Sequence, residues 1–154
     1  MKLAEMLNER KAVKDEIKKI RQRLELSVKI QEGDREPAEP PEELKQALIQ
    51  LYEKLEKLIS KINRTNVDVL IEGKSLMEMI AERDRDIAVA AALNGLAEDA
   101  TPRETRFSRS EIRFLPAVNI KELRKEADAY SKKAREIDNK IQGVNWTTEV
   151  EFKG

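Results

Sequence analysis

Four arginines, Arg103, Arg106, Arg109 and Arg113, fall close together and alternate with Phe107, Ser108, Ser110 and Phe114. A guanidinium is a planar fork of donors that matches a phosphate or carboxylate in bidentate fashion, and a neighbouring hydroxyl adds a further donor. Phosphate or nucleic-acid binding is therefore the chemistry this segment offers, with Arg106, Ser108, Arg109, Ser110 and Arg113 as the contacts. In a strand, Phe107, Arg109, Glu111, Arg113 and Leu115 share one face, and Arg106, Ser108, Ser110, Ile112 and Phe114 the other. Neither face is uniformly basic. A structural strand whose arginines pair with nearby carboxylates is the favoured reading, because a local patch without a basic domain is weak support for nucleic-acid binding.

Three other clusters carry polar chemistry. Glu82-Arg83-Asp84-Arg85-Asp86 holds enough carboxylates for a cation. The interleaved arginines neutralise them, so an ion-pair network is expected rather than a metal site. Asn63-Arg64-Thr65 and Asn145-Trp146-Thr147 fit the glycosylation pattern, but Asn and Thr are natural helix-end residues, and capping is the expectation. Trp146, the only tryptophan, reads as a buried anchor closing a bundle in preference to a ligand platform, although Trp also favours interfaces.

Much catalytic chemistry is absent at the level of composition. The 154 residues include no Cys and no His. That removes disulfides, zinc–thiolate sites, Cys nucleophiles and His-based acid–base pairs. It also removes the Glu-x-x-His ligand sets of di-iron bundles. No catalytic, cofactor or metal constellation emerges. Lys plus Arg and Asp plus Glu number 30 each, so no global field steers the chain to nucleic acid or an anionic membrane. The N-terminal residues lack the apolar core of a signal peptide, and no apolar run approaches the ~20 residues of a membrane span. A cytoplasmic protein is the expectation, in keeping with the absence of cysteine.

The elements that must position these residues are helices. From about 2 to 31, Met6, Val13, Ile17, Ile20, Leu24 and Val28 recur at helical spacing. The stretch 32–41 contains three prolines and reads as a loop, with Pro41 suited to the first position of the next helix. From about 41 to 64, Leu44, Leu48, Leu51, Leu55, Leu58 and Ile62 form an unbroken a/d seam. Residues 2–64 thus predict an antiparallel helical hairpin. Val67-Asp68-Val69-Leu70-Ile71 predicts a short strand and Glu72-Gly73-Lys74 a turn. Ser75 to Glu78 is a capping box opening a helix over about 76–99, Ala-rich between Ile87 and Leu93. Residues 103–118 predict an extended segment. Asn119 to Glu122 is a second capping box, for a long helix to about 143 with Ile120, Leu123, Ala127, Tyr130, Ala134, Ile137, Ile141 and Val144 on one stripe. The tail, 145–154, predicts a short strand. The fold class expected is mainly α: one domain, an antiparallel coiled-coil-like bundle of about four helices with a small β element.

Four strings, Met1-Lys2-Leu3-Ala4-Glu5, Ile62-Asn63-Arg64-Thr65-Asn66, Arg106-Phe107-Ser108-Arg109-Ser110-Glu111-Ile112 and Asn145-Trp146-Thr147-Thr148, together with the Pro/Glu-rich loop and the helix spacing, resemble the small bacterial proteins labelled septicolysin. The resemblance spans nearly the whole chain. Its label implies a cytolysin, and it implies no assigned catalytic residues.

Three clean seams and an Ala-rich helix need partners. The functional expectation is a non-enzymatic structural or protein-interaction module that self-associates, most simply as a dimer, with residues 88–92 near the interface. A membrane-active cytolysin-like protein and a phosphate or nucleic-acid binder acting through 103–113 are the alternatives. Balanced charge and scarce aromatics disfavour membrane and nucleic-acid partners. A thiol-activated lysin also needs a cysteine.

Overall fold

In a computed structural model the described residues, 1–103 and 112–153, form four helices and one two-stranded hairpin. The helices are α1 (Leu3–Ser27), α2 (Pro41–Asp68), α3 (Leu76–Ala100) and α4 (Ile120–Thr147), and the strands are β1 (Leu70–Ile71) and β2 (Lys74–Ser75). The chain divides into two compact units. The first holds residues 1–70 and 142–154, and the second holds 71–141. The mainly helical expectation, with its small β element, is what the structure shows.

In the first unit α1 and α2 pack against each other. Lys54 pairs with Glu9 and Arg23 with Glu39. As the α1 partner rises from Glu9 to Arg23, the other falls from Lys54 on α2 to Glu39 just before it, so the hairpin is antiparallel, as expected. Its core is Leu3, Met6, Val13, Ile17 and Ile20 from α1 with Leu44, Leu58 and Ile62 from α2. All lie on the periodic stripes. The α2 start also agrees with the expectation, with Pro41 at its first turn and Glu42 and Glu43 behind it, favourable against the helix dipole.

Both helices end elsewhere than their patterns predict. α1 stops at Ser27, leaving Val28 and Ile30 exposed. Val28 and Ile30 have no face to bury, so packing does not support the helix beyond the buried Ser27. α2 instead runs on to Asp68. Thr65 donates its hydroxyl to the Lys61 carbonyl at 2.9 Å and accepts the Val69 N–H at 3.0 Å through its own carbonyl. The residues 63–66 therefore continue the helix rather than cap it, and Val67 is helical, not part of a strand.

The tail closes onto the N-terminus. The Leu3 N–H donates to the Thr148 carbonyl at 2.9 Å and the Val150 N–H to the Met1 carbonyl at 2.8 Å. Lys2 and Glu149 form a single antiparallel bridge in place of a full strand.

In the second unit the turn between β1 and β2 is Glu72-Gly73, with φ of 52° and 85°. Two consecutive residues in the left-handed region are what a tight hairpin of this hand requires, and glycine takes the second place without strain. β2 feeds directly into α3.

Candidate functional site

The second unit carries the candidate site, a groove between α3 and α4. Its frame begins at the start of α3. The Ser75 N–H donates to Glu78 Oε2 at 2.7 Å, and the Glu78 N–H donates to Ser75 Oγ at 3.1 Å. This is the expected capping box, formed in both directions. The backbone hydrogen bond, joined by one from the Ser75 hydroxyl, holds the Glu78 carboxyl below its ordinary value. At the start of α4 the Glu122 N–H donates to Asn119 Oδ1 at 3.1 Å, so Asn119 caps as its type predicts.

Ion pairs then tie the elements together. Lys140 reaches Glu72 at 3.1 Å and Lys74 reaches Glu82 at 3.0 Å. Arg83 donates across the helices to Asp138 at 2.7 Å and along α3 to Asp84 at 3.1 Å. Burial works against the Arg83 charge, but the hydrogen bonds to Asp138 and Asp84 outweigh it and raise the guanidinium above its usual value. Arg85 pairs with Asp86 at 3.0 Å. The expected ion-pair network over residues 82–86 is therefore present.

One member departs from the solvated reading. Asp86 is only 1% exposed, and among the described residues its Oδ2 has no hydrogen-bond partner. A signal for it exists in the sequence. Met79, Arg83, Asp86 and Ala90 step by four, three and four along the inner face of α3, and all four are buried or half-buried.

Beyond the Arg83–Asp138 pair the two helices leave a groove of about 930 Å³. Ala90 from α3 and Ala134 from α4 are buried and form its floor. Ile87, Ala91 and Asn94 line one side, and Ser131, Arg135 and Asn139 the other. Ile87 is 52% exposed, an aliphatic side chain facing open space over a small-residue floor. The geometry suits apolar packing by another surface. Ser131 is the one hydroxyl in the lining, which also carries Lys132, Glu136 and Asp138, and no hydrogen bond from Ser131 to any of these is seen among the described residues. Among the described residues no group of three or more acids is placed to hold a metal.

The residues singled out from the sequence fare unequally. Arg106, Ser108, Arg109 and Ser110 lie outside the described residues. Arg113 is exposed on irregular chain in the second unit, not on a regular strand. Trp146 sits in the last turn of α4, in the first unit, and is 56% exposed. The buried-anchor expectation fails there. The α4 stripe reaches Ile141 and then Asn145, both buried, whereas Trp146 is five residues past Ile141 and so about 140° around the helix. Sequence reasoning placed the Ala-rich stretch near a contact but did not single out the groove.

Comparison with known proteins agrees with this architecture. A crystal structure of a functionally unknown conserved protein from Corynebacterium diphtheriae shares 36% identity, with a TM-score of 0.89. The match covers 98% of this chain and 99% of that one. No curated protein matches. Neither the solved structure nor the family match carries a septicolysin label, so nothing supports that label for this chain. The family model described as Family of unknown function (DUF6847) matches residues 10–150, and the chain belongs to that family.

Proposed function

We propose that this protein is a non-enzymatic interaction module that self-associates through the α3/α4 face of its second unit. The observation that carries the reading is the groove itself. Its floor is Ala90 and Ala134, and a half-exposed Ile87 stands beside it. Small side chains permit close approach by a partner, and an aliphatic wall gains by being covered.

A standard interface buries about 800 Å² on each partner. A symmetric dimer is the simplest closed assembly.

Ala91→Arg tests the proposal. Ala91 lines the groove and is exposed, so a bulky cation there meets solvent in a monomer and a partner in a dimer. Light scattering at micromolar concentrations should give twice the chain mass for the wild type and one chain mass for the variant, with unchanged helicity by circular dichroism. A wild-type mass of one chain throughout that range overturns the proposal.

A further inference from the structure

The two ends of the second unit are buried to different depths. Near the β1/β2 hairpin, Ile71, Leu76, Met79 and Ile141 are buried, and the pairs Lys140–Glu72 and Arg83–Asp138 tie the elements together. Beyond that cross-helix pair, over residues 86–100 of α3 and 120–134 of α4, no large hydrophobic side chain is buried. The apolar residues buried there are Ala90, Ala97, Ala127 and Ala134. Val89, Leu93, Ile120, Leu123 and Tyr130 are half-buried, and Ile87 and Leu96 are 52% and 54% exposed. A buried methyl group stabilises far less than a buried leucine or isoleucine side chain. α3 and α4 also approach each other less closely than α1 and α2 do.

The other buried side chain in this half is Asp86. Its Oδ1 accepts from Arg85 Nε at 3.2 Å and Nη2 at 3.0 Å, and its Oδ2 has no partner among the described residues. Arg85 is 61% exposed, so the cation of the pair stays in water while the carboxylate leaves it. A carboxylate taken out of water with one oxygen unsatisfied costs stability. Separating the helices returns that oxygen to water. Asp86 therefore opposes closure of the same helices that the alanines hold together.

We infer that residues 86–100 and 120–134 open as a unit about the base of the α3/α4 pair, and that the buried Asp86 carboxylate sets how readily they open. The Arg83–Asp138 pair marks the hinge, because every large buried side chain of the unit lies on its other side or beside it. Half a helix without a well-packed face is marginal in water. Segments held by few buried contacts open without unfolding the rest of a domain. Opening reshapes the groove, since Ala90 and Ala134 are its floor. The inference does not rest on self-association; a second copy seated on the groove would add to closure by mass action.

Hydrogen–deuterium exchange of the full chain, read by mass spectrometry, tests both parts. In the wild type, amides of 86–100 and 120–134 should exchange about a hundredfold faster than those of α2 around Leu58 and Ile62. Asp86→Asn and Asp86→Leu both remove the charge, and neither strands a buried cation, because Arg85 is solvated. Each should slow exchange in the opening segments by about tenfold and leave α2 unchanged, the reverse of the usual result for a buried residue. Asp86→Asn keeps the side-chain shape, so it decides the matter if leucine proves too large. Equal protection of the opening segments and α2 in the wild type overturns the opening. Exchange as fast as the wild type or faster in Asp86→Asn, or failure of that variant to fold, overturns the role of Asp86, since a charge the fold needs does not oppose it.

Discussion

Leu58→Ala should destabilise the first unit by about 3–4 kcal/mol, because Leu58 has no exposed surface and sits in the α1/α2 core. The substitution removes three carbons. At about 0.8 kcal/mol for each buried methylene-sized group, the lost transfer energy alone is about 2.4 kcal/mol. A cavity between helices already bridged by Lys54–Glu9 collapses only in part, which adds about 1 kcal/mol. With an unfolding entropy of about 2.1 cal/mol/K per residue over this chain length, the melting temperature should fall by about 10 °C. Leu55→Ala should cost less, since Leu55 is half-buried beside a shallow surface depression with Tyr52 and Ile59. Glu53→Ala, on the wet face, should stay within about 0.5 kcal/mol of the wild type. Thermal and urea melts monitored by far-ultraviolet circular dichroism give all three values. If Leu58→Ala and Glu53→Ala melted within a degree of each other, the assignment of the seam as the core would be refuted.

Limited proteolysis should cut first between Gly33 and Pro41, where the chain is exposed and irregular; primary cleavage within α2 would contradict the hairpin. Glu78→Gln should destabilise α3 at neutral pH and cease to matter in acid. The Glu78 carboxyl is held below its ordinary value of 4.5, so its contribution is full above that value and is lost as pH falls through the lower folded one; a wild-type-minus-variant difference that grew on acidification would reverse the sign. Arg83→Met should cost about 1 kcal/mol after allowance for solvent screening, and the cost should shrink at high salt, because the Asp138 it abandons is partly exposed; a salt-independent loss would point to packing instead. No helix among the described residues is long and apolar enough to cross a membrane. Micromolar protein should leave dye-loaded neutral and anionic vesicles intact, and dose-dependent release would favour the membrane-active alternative.

Periodicity in the sequence determined α1, α2 and α4 and their buried stripes, the proline loop gave the antiparallel pairing of α1 with α2, and α3 was legible only from its capping box and its alanines. Local chemistry determined their starts: Pro41, the Ser75–Glu78 box and the Asn119 cap are all made by neighbours in sequence. These features are legible because they depend on contacts within one or two helical turns. The ends of α1 and α2 were not legible. Ser27 and Thr65 make the same hydroxyl bond back along the helix, to Arg23 and Lys61, yet α1 ends at Ser27 and α2 runs on to Asp68, so the local bond does not decide where either helix ends. The exposure of Trp146 and the burial of Asp86 obey the same logic. A shift of one position on a helix rotates a side chain by about 100°, enough to carry it from seam to solvent. The groove depended on more than its residue types. Alanines at 90 and 134 make a floor only because Arg83 and Asp138 join α3 to α4 at one end and leave the helices open beyond it. That spacing belongs to the packing of two distant segments, and only the tertiary structure decided it.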